Sequence, residues 1–183
     1  MKPYTAVFVF LSFFFMKEII AQETPKPAAE ILQEAYQQAA TEKKNLFVMF
    51  HASWCGWCHK MDSSMNDKTV KDFFDNSYII KHLTVYESKD KKQLENPGGM
   101  DLLRKYNGQD LGIPYWIIFD KTGNWLADSQ IRPDGSDFKL RGENVGCPAS
   151  PEEVNHFLNV LRKTSSLNAE QLTLIQKRFL TNQ

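Results

Sequence analysis

Cysteine is scarce in this chain, and neither sign of charge predominates. Three cysteines in 183 residues are too few for a small secreted domain held together by disulfides. The 22 Lys and Arg residues equal the 22 Asp and Glu residues, so the net charge is zero. This balance gives no electrostatic reason to bind nucleic acid or an anionic membrane. The sequence also has no internal repeat and no low-complexity segment, which predicts one domain with short additions.

Long apolar runs are confined to the N-terminus. An almost unbroken run, Tyr4–Met16, follows the positive charge of Lys2 and precedes the small residue Ala21. This order predicts a signal peptide over residues 1–21, because the run is short for a membrane span. Retention as a membrane anchor is the alternative. Cleavage predicts a periplasmic or secreted protein without a stable membrane span.

Two of the three cysteines stand two residues apart, in Cys55-Gly56-Trp57-Cys58. They follow the apolar run Leu46–Phe50, which predicts a buried strand, and a helix is expected from Cys58 onwards. Cys55 would then lie near a helix N-terminus, where unpaired N–H groups and the helix dipole favour a thiolate. The spacing would let Cys58 attack a mixed disulfide formed at Cys55, which is the chemistry of thiol–disulfide exchange.

The motif by itself admits three other interpretations. Together with His59 it fits C-x-x-C-H, the attachment pattern of a c-type haem. Cys55, Cys58 and His59 are also zinc ligand types, although no second closely spaced Cys or His pair completes a tetrahedral set. The two cysteines could also be structural residues of a core.

The rest of the sequence alternates helical and strand patterns. Helices are predicted over 28–44, 58–65, 69–74, 100–106, 151–163 and 169–180, and strands over 46–51, 78–85, 112–120 and 125–129. The charged stretch 87–96 is predicted to be a solvated loop. Strands that alternate with helices and end in a hairpin favour an α/β fold with a central mixed sheet flanked by helices. The predicted divisions are a signal peptide 1–21, a linker 22–27, a domain 28–164 and a helical C-terminal extension 165–183.

Two separated segments resemble the thioredoxin fold. Phe50–Cys58 looks like the strand, aromatic and redox-pair segment of that family, and Gly112-Ile113-Pro114 looks like the loop that carries its cis-proline. The segments Lys43–Asn45 and Asp67–Val70 are similar to those of bacterial exported members related to thiol:disulfide interchange and cytochrome c maturation factors. This resemblance argues against the haem interpretation, because a thioredoxin site leaves no room to ligate haem.

The resemblance implies an exported thiol–disulfide oxidoreductase. Cys55 would be the nucleophile and Cys58 the resolving thiol. No metal and no organic cofactor is implied, because the electrons reside on sulfur. The implied partners are protein dithiol or disulfide substrates and a separate redox partner protein, with no nucleic acid. A non-catalytic module that captures peptides is the alternative, and insulin-reduction turnover distinguishes the two.

The resemblance also implies which residues meet the substrate. A cis bond before Pro114 would turn the preceding backbone outward, so that a substrate chain could pair with Ile113 as an added strand. Trp54 and Trp57, on either side of Cys55, are expected at the contact surface.

One position departs from the family pattern. Thioredoxin has a buried Asp that helps to move the proton of the second cysteine, and the corresponding residue here is Met49. Either water or another group deprotonates Cys58, or the resolving step is slow. The Gly56-Trp57 pair matches neither thioredoxin nor the strong oxidants, so a reductase is predicted from the resemblance alone.

Three further side chains are expected to have minor roles. His51 is predicted to be structural. His59 is predicted to be a partly exposed helix residue, with a modest electrostatic effect on the thiols as the alternative. Cys147 is predicted to be a free structural thiol.

Overall fold

The computed structural model describes residues 24–133 and 135–183. The predicted signal peptide, residues 1–21, lies outside the described residues, as do the first two residues of the predicted linker. Among the helices of the described part, none is long and apolar enough to cross a membrane.

Four apolar strands form one mixed sheet in the order β2-β1-β3-β4. β1 (Asn45–His51) pairs in parallel with β2 (Tyr78–Thr84) and antiparallel with β3 (Tyr115–Phe119). β4 (Trp125–Asp128) pairs antiparallel with β3, as the predicted hairpin requires. The mixed central sheet flanked by helices is therefore confirmed.

Helices cover both faces of this sheet, which is why β1 and β3 are continuous apolar runs. The helices are α1 (Ala28–Glu42), α2 (Gly56–Met65), α3 (Lys71–Ser77), α4 (Gly99–Lys105), α5 (Pro151–Thr164) and α6 (Ala169–Leu180). Phe47 and Met49 of β1 belong to the core under α2, α5 and α6. The alternate residues of β1, including Val48, belong to the core under α1 and α4. The two clusters follow from the two-residue period of a strand.

The two C-terminal helices begin at side-chain caps. The Ser150 hydroxyl accepts a hydrogen bond from the Glu153 N–H at 3.2 Å, and the Glu153 carboxylate accepts one from the Ser150 N–H at 2.9 Å. Asn168 and Gln171 form the same reciprocal arrangement at the start of α6. α5 begins at the residue predicted from the sequence, because a Ser followed three residues later by Glu satisfies two helix-terminal N–H groups.

Local details differ from the sequence-based expectations. α2 begins at Gly56, two residues earlier than expected, because the Cys55 sulfur itself accepts the hydrogen bond that caps the helix. α3 begins two residues later than expected, at Lys71. The predicted solvated loop 87–96 contains a 3₁₀ helix (Lys89–Leu94). A two-stranded ladder between β5 (Gln130–Ile131) and β6 (Glu143–Asn144) was not expected, because two-residue strands have no periodicity to detect.

Candidate redox site

The two cysteines of the motif are joined by a disulfide at the start of α2. Cys55 is the N-cap residue, and its Sγ accepts a hydrogen bond from the Cys58 N–H at 3.1 Å. The sulfur therefore lies where unpaired backbone N–H groups and the positive end of the helix dipole stabilise negative charge. Cys55 is 3% exposed and Cys58 is fully buried. Of the two sulfur-bearing residues, Cys55 is thus the one nearer to solvent.

The loop before β3 meets the disulfide, which brings the two predicted motifs together. The Ile113–Pro114 peptide bond is cis, as expected. The Ile113 carbonyl oxygen lies 3.6 Å from Cys55 Sγ, and Ile113 packs against both cysteines and Ala52. β1 and β3 are antiparallel neighbours, so the end of β1 and the start of β3 fall at the same edge of the sheet.

Two tryptophans flank Cys55 with their rings turned to solvent. Trp54 is 59% exposed and Trp57 is 51% exposed. The Trp54 indole N–H donates to the Tyr86 carbonyl oxygen at 2.8 Å, and the Lys60 ammonium group lies 4.8 Å from the centre of the Trp57 ring. Both aromatic rings are therefore held in defined orientations while about half of each side chain remains exposed for contact.

A groove of 480 Å³ adjoins the disulfide. Its lining includes Trp57, the loop Leu111–Pro114 and the segment Asn144–Cys147. The lining combines apolar side chains with the polar side chains of Asn144, Ser150 and Glu153. A groove with this lining suits an extended peptide, since main-chain hydrogen bonds can be made along the peptide and its side chains can be held in apolar contact.

The Asn144 side chain links the two loops that form the wall of this groove. It was not identified from the sequence. Its amide nitrogen Nδ2 donates to the carbonyl oxygens of Leu111 and Pro114, at 3.1 Å in each case. Its Oδ1 accepts the Gly146 N–H at 3.1 Å. Gly146 has a φ of 61°, and a Cβ there would lie 3.3 Å from the Pro114 oxygen. The close approach of the two loops thus requires glycine and is held by one amide.

Asn144→Ala is expected to weaken exchange with proteins more than exchange with small molecules. It removes the hydrogen bonds to Leu111, Pro114 and Gly146, worth about 1 kcal/mol each, which hold the wall of the groove and not the sulfur atoms. We expect KM for insulin to rise roughly three- to tenfold, with the rate toward a small aromatic disulfide changed less than about twofold. Asn124→Ala is the control, because Asn124 makes comparable turn contacts at the opposite end of β3. Equal losses with both substrates would contradict a role for Asn144 in the groove.

A buried carboxylate fixes the segment that leads into the motif. Glu87 is 4% exposed, and its carboxylate accepts the Ser53 N–H at 2.5 Å and the Ser53 hydroxyl at 2.8 Å. The predicted solvated position of Glu87 is wrong. Glu87 lies three residues after the end of β2, and β2 runs parallel to β1, so both strands deliver the residues that follow them to the same edge of the sheet. Glu87 could have been placed at this edge from the sequence only through the expected pairing of β2 with β1.

The three side chains expected to have minor roles are those of His51, His59 and Cys147. His51 is half-buried, and burial lowers the pKa of its imidazole, with the neighbouring His82 acting in the same direction. His59 is exposed, and its Nε2 lies 3.0 Å from the Ser53 carbonyl oxygen. Cys147 is free and buried. Within residues 24–133 and 135–183, no group of three or more His, Cys, Asp or Glu side chains is arranged to hold a metal ion.

Comparison with known proteins gives one family. The sequence matches the thioredoxin-like family over residues 28–121, just over half of the chain. No curated protein matches the sequence.

Several solved structures are similar at low identity. A disulphide isomerase from Xylella fastidiosa Temecula1 is 19% identical over 55% of this chain and 72% of that chain, with a TM-score of 0.45. A DsbH oxidoreductase is 18% identical over 84% and 95%, with a TM-score of 0.44. The DsbD C-terminal domain of Neisseria meningitidis in its oxidised form is 16% identical over 76% and 98%, with a TM-score of 0.43. At this level the structures carry no argument about activity.

Proposed function

The chain belongs to the thioredoxin-like family and is a thiol–disulfide oxidoreductase, and we propose that it is an exported reductase of protein disulfides. The observation that supports this most strongly is the disulfide pair at the start of α2, with Cys55 Sγ 3.6 Å from the Ile113 carbonyl oxygen. In this arrangement the nucleophile, the resolving thiol and the backbone that receives the substrate share one edge of the sheet.

The proposed roles follow from position. Cys55, the N-cap residue nearer to solvent, attacks the substrate disulfide, and the buried Cys58 resolves the mixed disulfide. Pro114 shapes the loop on which Ile113 offers its backbone to an extended substrate chain. The exposed rings of Trp54 and Trp57 contact the side chains of that substrate. A separate protein dithiol then reduces the Cys55–Cys58 pair. The resemblance to thioredoxin supports the reducing direction. The similarity of two short segments to cytochrome c maturation factors adds precursors of c-type cytochromes to the candidate substrates.

Alkylation of the reduced protein near neutral pH is expected to modify Cys55 first. The helix N-terminus favours its thiolate, which is the reactive form. Cys147 should remain unmodified in the native protein, because burial raises the pKa of its thiol to about 12 and the thiol is therefore protonated at any pH well below that value. Iodoacetamide labelling followed by peptide mass spectrometry measures the order. Faster labelling of Cys58 or Cys147 would contradict the proposed roles.

Export predicts removal of the N-terminal segment. When the full chain is expressed in a bacterium with a periplasm, the mature protein is expected to begin near Gln22, since Ala21 precedes that bond. Intact mass measurement of the protein from the periplasmic fraction tests this. Recovery of the full-length chain from the membrane fraction would instead indicate an anchored protein.

A further inference from the structure

The resolving cysteine requires a proton acceptor, and the position on β1 where the family has one does not provide it. Cys58 is fully buried, and burial disfavours a thiolate. Met49 of β1 occupies the position at which the family has a carboxylate. It is 1% exposed and cannot accept a proton. A thiol in this environment will attack slowly unless another group removes its proton.

A carboxylate–imidazole pair lies next to this position. Asp62 is four residues after Cys58 on α2, so the two side chains are neighbours on one helix face. Asp62 Oδ1 is 2.8 Å from His82 Nε2. His82 lies on β2 directly beside Met49 in the strand register. The pair therefore lies one helical turn from Cys58 along α2 and beside the residue that replaces the family's carboxylate.

We propose that the Asp62–His82 pair accepts the Cys58 proton when Cys58 resolves the mixed disulfide. The side chains of Asp62 and His82 are 33% and 35% exposed, so a proton held by the pair can pass to solvent. This inference rests on the proposed roles of Cys55 and Cys58, and it concerns a residue pair that neither the redox motif nor the cis-proline loop contains.

The Cys55 thiolate attacks a substrate disulfide, forming the Cys55–substrate bond and releasing one substrate thiolate. The Cys58 thiol then transfers its proton to the Asp62–His82 pair, and the resulting thiolate attacks Cys55 Sγ. The Cys55–Cys58 bond forms, the Cys55–substrate bond breaks, and the second substrate thiolate leaves. The substrate disulfide has gained two electrons, the enzyme dithiol has lost two, and the pair releases its proton to water.

The other titratable and charged groups around the pair are already engaged or face elsewhere. They are His51, His59, Lys60, Glu87, Cys147 and Arg178. The Cys147 thiol stays protonated near neutral pH, because burial raises its pKa to about 12. The His51 pKa is lowered by burial, and its Nε2 lies 3.2 Å from the Thr84 hydroxyl. His59 Nε2 and the Glu87 carboxylate both bind Ser53. Lys60 donates to the Asn182 carbonyl oxygen, and Arg178 pairs with Asp67.

A single-turnover experiment separates the two chemical steps. Reduced protein in excess is mixed with an aromatic disulfide whose two thiolates absorb visible light. The first thiolate reports attack by Cys55, and the second reports resolution by Cys58. Asp62→Asn, which keeps the shape but lowers the basicity, is expected to slow the second phase about tenfold at pH 7. This is below the ~10²–10⁴-fold typical of general base catalysis, because water also reaches the pair. The first phase should change less than about twofold.

Controls and pH distinguish proton transfer from a structural effect. Asp67→Asn is the matched control, because Asp67 is 34% exposed and paired with Arg178 at 3.0 Å, and both phases should remain as in the wild type. The defect of Asp62→Asn should shrink as the pH rises, because hydroxide then removes the Cys58 proton without the pair. His82→Gln should slow the same phase. A second phase unchanged by Asp62→Asn, or a defect of equal size at all pH values, would overturn the inference. Loss of the two-phase behaviour in the wild type would instead overturn the proposed cysteine roles.

Discussion

Cys58→Ser is expected to accumulate a mixed disulfide with a protein substrate, whereas Cys55→Ser should accumulate none. Without the resolving thiol, the covalent intermediate at Cys55 has no internal route of release. Without Cys55 no intermediate forms, because Cys58 is fully buried beneath it. Both variants should lose insulin-reduction turnover by about 10²-fold or more, since a disulfide can no longer be completed within the motif.

Non-reducing electrophoresis after incubation with a disulfide substrate measures the trapped species. The double variant Cys55→Ser/Cys58→Ser is the control, because it retains Cys147 as its only cysteine and should trap nothing. Mass spectrometry of the trapped adduct should locate the bond at Cys55. Equal trapping by the two single variants would show that the two cysteines do not have distinct roles.

Phe157→Ala is expected to destabilise the protein by about 3–5 kcal/mol. The ring is fully buried between Trp116 of β3 at 5.5 Å and Phe179 of α6 at 5.0 Å. It joins the C-terminal helix to the central sheet, so the substitution leaves a cavity where three elements meet. Destabilisation of this size corresponds to a fall in Tm of roughly 10 °C for a chain of this length.

Urea denaturation followed by far-UV circular dichroism measures this change in the free energy of unfolding. Leu174→Ala on α6 is the matched control, because Leu174 is 37% exposed and truncation there should cost less than about 1 kcal/mol. If Phe157→Ala costs no more than Leu174→Ala, the aromatic cluster does not belong to the cooperative core.

The elements that the sequence predicted are those with a local signal. The run Leu46–Phe50 is apolar without interruption because both faces of β1 are covered. The start of α5 has a local signal because the N-cap Ser150 and its partner Glu153 are three residues apart. The redox motif and Gly112-Ile113-Pro114 were identified as separate segments. Their meeting at one sheet edge followed only from the family resemblance.

The rest of the site depends on contacts between distant segments. Asn144 binds carbonyls 33 and 30 residues earlier in the chain, and Glu87 binds Ser53 across 34 residues. His82 and Asp62 meet because β2 and α2 pack against one another. The sequence around a polar residue in a loop or at a strand end is similar whether its side chain is exposed to solvent or hydrogen-bonded to a distant segment. Only the strand order, with β2 beside β1, separates these cases.

Redox titration of the Cys55–Cys58 pair tests the central claim most directly. The purified mature protein is equilibrated in glutathione or dithiothreitol buffers, and the change in fluorescence of the adjoining tryptophans reports the oxidised fraction. The proposal predicts one two-electron transition on the reducing side of glutathione, toward the value of about −270 mV typical of thioredoxin. A transition near about −120 mV, as in strong oxidants, would contradict the reducing direction. The absence of any transition would contradict the proposal that the pair cycles.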